Sequence, residues 1–228
     1  VVTLLTEREG KVGASFRHGR KSSRRAAGGV EPFHTLDVLL EDRGRELLAL
    51  KESRLVTVRE GVVRSLEAMD AAGAVLRWAR HLLPARHADP AAWTTLVGLL
   101  DALDRQKAGP RSLQALAGLR LLASVGYALE LGRCVVCGRP CPDGAPAFVD
   151  AGRGGLVCQR CGGARRRLEG RTRELAARAQ RGEDDPRAGE EGLERLTVPG
   201  WLTPSEAGDL LGLVSEAMAA HADLDPAR

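Results

Sequence analysis

Aromatic residues are nearly absent: Phe, Tyr and Trp together make up 3% of the 228 residues. Any core must therefore be built from Leu, Val and Ala, and a row of aromatic platforms for stacking bases is excluded. No apolar run approaches the roughly 18 residues a membrane span needs, and no signal peptide is visible. The phosphate-loop pattern GxxxxGK[ST], the dinucleotide fingerprint GxGxxG, the zinc-hydrolase motif HExxH and the nucleophile elbow GxSxG are all missing. The five histidines, at 18, 34, 81, 87 and 221, share no ligand spacing. These absences lower the odds of an enzyme. The chain begins at Val1 inside an apolar stretch, which reads as a missing natural N-terminus.

What is present is enough for one large domain or two to three small ones. Hydrophobic residues reach 43%, charged residues 28%, and the net charge is +4. That mild basicity permits nucleic acid without requiring it. Residues 1–57 read as strand-rich, with Val1–Leu5 and Lys11–Phe16 forming a hairpin that puts Val12, Ala14 and Phe16 on one face. A second hairpin, Phe33–Leu40 with Glu46–Leu50, turns at Asp42-Arg43-Gly44. Short strands with long loops suit a small barrel.

From residue 58 the period becomes helical, through Val62, Val63, Leu66, Met69, Leu76, Ala79 and Leu83, until Pro84. Asp89-Pro90 caps a helix that Gly109-Pro110 ends. Residues 111–131 read as a third helix, apolar nearly all round and so central. Thr203-Pro204-Ser205-Glu206 is a capping box for a last helix with Leu210, Leu211, Val214, Ala217 and Met218 inward. The expected domains are 1–57, then 58–131 with 166–228, the cysteine segment 132–165 being an insertion.

All five cysteines fall in that insertion. A secreted disulfide scaffold spreads an even number along the chain; this clustering points to a metal site in a reducing cytoplasm. Cys134-Val-Val-Cys137-Gly and Cys158-Gln-Arg-Cys161-Gly are two knuckles with twenty residues between them. A two-residue gap lets both thiolates of a knuckle reach one ion at about 2.3 Å. Gly138 and Gly162 follow where the chain turns sharply. Four filled positions leave none for water, so one structural Zn2+ is expected on Cys134, Cys137, Cys158 and Cys161. Symmetric pairing favours Cys137; Cys141 is either a bystander thiol or its replacement. A redox CxxC pair would need a strand–helix context that is missing here.

Lys11, Arg17, Arg20, Lys21, Arg24 and Arg25 put six cations within fifteen residues. Beside a barrel groove, such a loop tracks a phosphate backbone, with Ser22 and Ser23 as neutral contacts. The bland alternative is a solvated loop with surplus charge. A second cluster, Arg165 to Arg181, either extends that surface or forms a solvated helix face ahead of an acidic linker.

Val2-Thr3-Leu4-Leu5-Thr6-Glu7, Gly10-Lys11-Val12, Arg17-His18-Gly19-Arg20-Lys21-Ser22 and Glu31-Pro32-Phe33, in that order, resemble the opening of the RecO family. A helical stretch and a two-knuckle cysteine segment follow in the same order, so the resemblance covers residues 1–165. It implies an α+β protein: an OB-fold barrel followed by an α-helical domain carrying a zinc finger. Its first barrel strand would precede Val1. It further implies binding of single- and double-stranded DNA, strand annealing without ATP, and loading of RecA onto DNA coated by the single-strand-binding protein SSB, with RecR. The helical domain would receive the SSB C-terminal tail, and the protein would be bacterial, cytoplasmic and nucleoid-associated. The six cations would then lie on the DNA face. Two competing hypotheses are a zinc-ribbon module that binds protein in transcription or translation, and a metalloenzyme with an open zinc position.

Overall fold

The computed structural model describes residues 1–15, 30–106, 108–182 and 202–222. The first hairpin forms as the alternation requires. Strand β1 (Val2–Thr6) pairs antiparallel with β2 (Gly10–Ser15), Val2 opposite Ala14 and Thr6 opposite Gly10. Val12 and Ala14 are buried on one face. The Thr6 hydroxyl accepts the Glu9 N–H at 3.0 Å and closes the turn. Phe16, expected to extend that face, lies outside the described residues.

Strand β3 (Thr35–Glu41) pairs antiparallel with β4 (Leu48–Thr57), and β4 also runs parallel to β2 at Leu48 and Ala49. The sheet order is β1-β2-β4-β3. Strand β4 is longer than the expected Glu46–Leu50, because its charged half has no apolar alternation to announce it. Pairing with β3 holds that half in the sheet; Arg54 and Asp37 face each other across the ladder at 3.1 Å.

A short turn, α1 (Glu60–Val63), leads into the helical body: α2 (Leu66–Leu82), α3 (Pro90–Asp104), α4 (Pro110–Ser124), α5 (Gly170–Arg181) and α6 (Pro204–Ala222). The caps are chemical. Ser65 accepts the Ala68 N–H at 3.2 Å, and Asp89 accepts the Ala92 N–H at 2.9 Å. Thr203 and Glu206 exchange bonds of 3.2 and 2.7 Å, completing the capping box.

Helix α4 is the centre. It touches α2, α3, α5 and α6, which is why Leu113, Leu119, Leu121 and Leu122 are fully buried. A Cβ on Gly118 would sit 2.7 Å from Val214 and 2.9 Å from Trp78, so glycine lets α4 approach α6. The helix is shorter than the expected 111–131. It stops at Ser124, and Gly126 turns the chain at φ 88°. Residues beyond it become an extended strap, where Leu129 exchanges amide bonds with the Gln180 side chain at 2.7 and 3.0 Å. Gly109-Pro110 begins α4 as cap and first residue, besides separating it from α3.

Two attachments join sheet to helices. Lys11 Nζ donates to the Arg80 carbonyl at the end of α2 at 2.6 Å, while the Lys11 carbonyl accepts the Arg86 N–H at 2.8 Å. On the other side, Arg59 is 1% exposed. Its Nε donates to Asp101 of α3 at 2.7 Å, and Nη1 donates to the Phe33 carbonyl and the Thr35 hydroxyl at 3.2 and 2.9 Å. Truncating one partner strands the other charge. Arg59→Ala is predicted to cost about 3 kcal/mol in urea unfolding. Arg59→Met with Asp101→Leu is predicted to cost clearly less; equal losses would show that the charge pairing is not what matters.

Candidate metal centre

The cysteine segment folds as two knuckles over a small sheet. Strand β5 (Ala147–Asp150) sits between β6 (Gly155–Leu156) and β7 (Arg166–Leu168). The sequence reads Ala147–Val149 and Leu156–Val157 as a hairpin closed by Ala151-Gly152-Arg153-Gly154-Gly155, and the β5–β6 pair forms there, whereas β7 was hidden in an arginine run. In the first knuckle Cys134 N–H donates to the Arg139 carbonyl and Gly138 N–H to the Cys134 carbonyl, at 2.8 and 2.9 Å. In the second, a single 3-10 turn at Gln159–Cys161 brings Cys161 N–H to the Cys158 carbonyl at 2.9 Å. Gly138 and Gly162 take φ of 71° and 101°, the left-handed turns expected of them. Val135 N–H donates to the Leu156 carbonyl at 2.8 Å and lays one knuckle against the other.

The result is four sulfurs, from Cys134, Cys137, Cys158 and Cys161, all within 4.8 Å of one another. Cys137 and Cys158 are 3.7 Å apart. Four sulfurs at about 2.3 Å from a central ion span tetrahedral edges of about 3.8 Å, so the arrangement fits a metal ion. Cys141 stands outside this group but packs against the module's small core of Cys134, Ala147 and Leu156.

The electrostatics point the same way. The Cys158 N–H, 3.3 Å from Cys134 Sγ, leads the N–H groups of Cys137 and Val136 in drawing the Cys134 thiol down to about 6. Hydrogen bonds with the sulfurs of Cys158 and Cys137, and then burial, favour the protonated Cys161 thiol and push it up to about 12. Four thiolates cannot share this space without a cation to offset their repulsion.

The module is tied to the helical body by arginine. Arg173 of α5 is 3% exposed and donates to three carbonyls, Leu131 and Pro142 at 2.6 Å each and Ala145 at 3.1 Å. Glu174 accepts the Gly144 N–H. Arg166 forks onto Glu216 of α6 at 2.7 and 3.1 Å and reaches the Asp209 carbonyl at 3.1 Å. Arg171 meets Glu206 at 2.7 Å. His221 Nε2 donates to the Ala151 carbonyl at 3.0 Å, and its ring stacks on Tyr127. Arg166, Arg171 and Arg173 of the second arginine cluster are therefore structural glue, while Arg165, Arg167, Arg171 and Arg181 keep an exposed face. Sequence counting saw a block of charge; the buried carbonyls that Arg173 serves gave no local signal. The acidic run after α5 lies outside the described residues.

Of the six loop cations, Lys11 is placed on β2 with its ammonium on the Arg80 carbonyl. Burial and then the nearby Arg80 charge hold it below the usual lysine range. Arg17, Arg20, Lys21, Arg24 and Arg25 lie outside the described residues. Among the described residues no helix is long and apolar enough to cross a membrane.

Fold and site define a class: an α+β protein whose strand domain leads into a helical body stapled by a four-cysteine centre. Both parts match family models, Recombination protein O N terminal over residues 1–59 and Recombination protein O C terminal over residues 63–195. The chain belongs to the RecO family, whose N-terminal domain is an OB-fold. It is similar to the DNA repair protein RecO of Anaeromyxobacter sp. strain K, 36% identical over 162 residues, covering 71% of this chain and 63% of that protein. It is similar to those of Bifidobacterium longum, 29% over 161 residues, covering 70% and 65%, and Syntrophotalea carbinolica, 31% over 162 residues, covering 71% and 62%. The chain thus spans under two thirds of the length of these relatives.

Metal affinity is predicted to fall steeply between pH 7 and 5. The Cys134 thiol lies below its ordinary 9.0, so its ready-made thiolate is present at high pH and is lost as pH falls through about 6. Chelator competition across that range checks this. Because the other thiols lose affinity with falling pH as well, the test is an added steepening below about pH 6, and a profile without it would show that Cys134 brings no ready-made thiolate.

Proposed function

We propose that this protein is a DNA-repair recombination mediator: it binds single and double strands, pairs complementary strands without ATP, and helps load RecA onto SSB-coated DNA together with RecR and the SSB tail. The observation that carries this is the family match across both the strand domain and the helical body. The metal is one structural Zn2+ on Cys134, Cys137, Cys158 and Cys161, the all-thiolate tetrahedral set zinc favours. With four protein sulfurs in place no position is open to a substrate, which argues against the metalloenzyme reading.

The mechanism is charge neutralisation. Two strands repel through their phosphates. Lys11, Arg17, Arg20, Lys21, Arg24 and Arg25 displace counterions from both strands and lower that repulsion, after which base pairing itself drives annealing. No nucleotide is needed, in keeping with the missing phosphate loop. With few aromatics available, binding is electrostatic and indifferent to sequence.

The test is pairing of complementary strands precoated with SSB, without nucleotide, at several salt concentrations. Six phosphate contacts predict a log–log salt slope on single strands of about −4. Because Lys11 also holds the end of α2, charge reversal is best confined to Arg17, Arg20, Lys21, Arg24 and Arg25. That variant is predicted to lose annealing while keeping its zinc and its melting temperature. Folded, zinc-loaded wild-type protein that pairs no strands at any salt would overturn this reading in favour of a protein-binding zinc module.

A further inference from the structure

The chain places a fifth thiol beside the metal centre. Cys141 N–H donates to the Gly132 carbonyl at 2.8 Å, and Cys134 N–H donates to the Arg139 carbonyl at 2.8 Å, flanking an antiparallel bridge between Arg133 and Pro140. In that register Cys134 faces Arg139 and Cys141 faces Gly132. All four lie on one face, so Cys134 and Cys141 are diagonal neighbours. Gly132, opposite Cys141, has no side chain to stand between. Cys141, Cys158 and Cys161 all pack on the same small core around Cys134. The ligands differ in access: Cys134 is buried, Cys158 and Cys161 are half-buried, and Cys137 is exposed.

We propose that Cys141 is a reserve metal ligand that takes the place of Cys137 when that exposed thiolate is removed from the site. The proposal rests on the zinc reading above. Rotating a cysteine between staggered χ1 wells moves its sulfur by about 3 Å, and a turn of this kind is what the exchange requires of Cys141, which packs on the core the ligands share. The event that calls on it is attack by a small peroxide, which reaches the most exposed thiolate first. Hydrogen peroxide transfers one oxygen to Cys137, whose sulfur is oxidised from thiolate to sulfenic acid while the peroxide is reduced to hydroxide. The neutral sulfenic acid is a poor ligand and leaves. Cys141 gives its thiol proton to that hydroxide, forming water, and enters as thiolate. Four sulfurs again surround the ion, and the net charge of the site is unchanged.

The test uses the full chain loaded with Co2+, whose near-ultraviolet sulfur-to-metal absorption scales with the number of thiolates bound. Cys137→Ser is expected to bind one ion with the same absorption as wild type, Cys141 having entered. Adding Cys141→Ser is expected to cut that absorption to three quarters and to weaken metal retention against a chelator on the order of ten-fold. Cys141→Ser alone is expected to match wild type until peroxide is added, and then to lose metal faster. If Cys137→Ser already shows three-thiolate absorption, identical to the double variant, Cys141 is a bystander and the proposal is overturned. If wild type binds neither Co2+ nor Zn2+, the zinc reading falls and takes this proposal with it.

Discussion

The cysteine module has almost no core of its own: Cys134, Ala147 and Leu156 form it, Val157 is buried beside Leu156, and its other buried apolar residues are shared with the helical body. Such a segment cannot offset its own chain entropy by burial. It holds its shape because four sulfurs converge within 4.8 Å, where a cation can lock them, and because Arg173 reaches in from α5. That guanidinium gives the buried Leu131 carbonyl and the half-buried Ala145 carbonyl a donor, and adds a second to the Pro142 carbonyl, which the Ala145 N–H also reaches. The four sulfurs and the arginine act on the same segment. The sulfurs fix the knuckles to each other; the arginine fixes them to the helices.

The same device recurs where the sheet meets the helical body. Arg59 bonds a carbonyl, a hydroxyl and a carboxylate from segments far apart in the chain. With so few aromatics, the protein has few large apolar surfaces with which to glue its parts together. Buried arginines, each with several donors in a rigid plane, fill that role. Their cost is desolvation, offset only while every donor has a partner. Arginine abundance is thus partly an architectural fact, and a net charge of +4 overstates how much basic surface is free to meet phosphate.

The strand domain and the helical body are also joined through backbone. Lys11 of β2 lies in a parallel bridge with Ala85 of the α2–α3 connection. Together with the Arg59 cluster this gives two points of attachment. Strand β2 is thereby held against the helical body.

Elements whose signal is local were legible in the sequence. The four cysteines that converge could be named because two-residue spacing is itself the geometry of a knuckle. The caps at Asp89 and Thr203, the first hairpin and the central, all-round apolar α4 were legible for the same reason. The true end of α4, the full length of β4 and the existence of β7 were not, because partners elsewhere in the chain decide them: Gln180 for the strap after α4, β3 for the charged half of β4, β5 for an arginine run. Least legible of all were the two buried arginines. Arg59 meets Asp101 and Arg173 meets Leu131, each 42 residues away along the chain. A guanidinium looks the same in a sequence whether water or a buried carbonyl receives its protons, and only the folded chain brings the carbonyl to it.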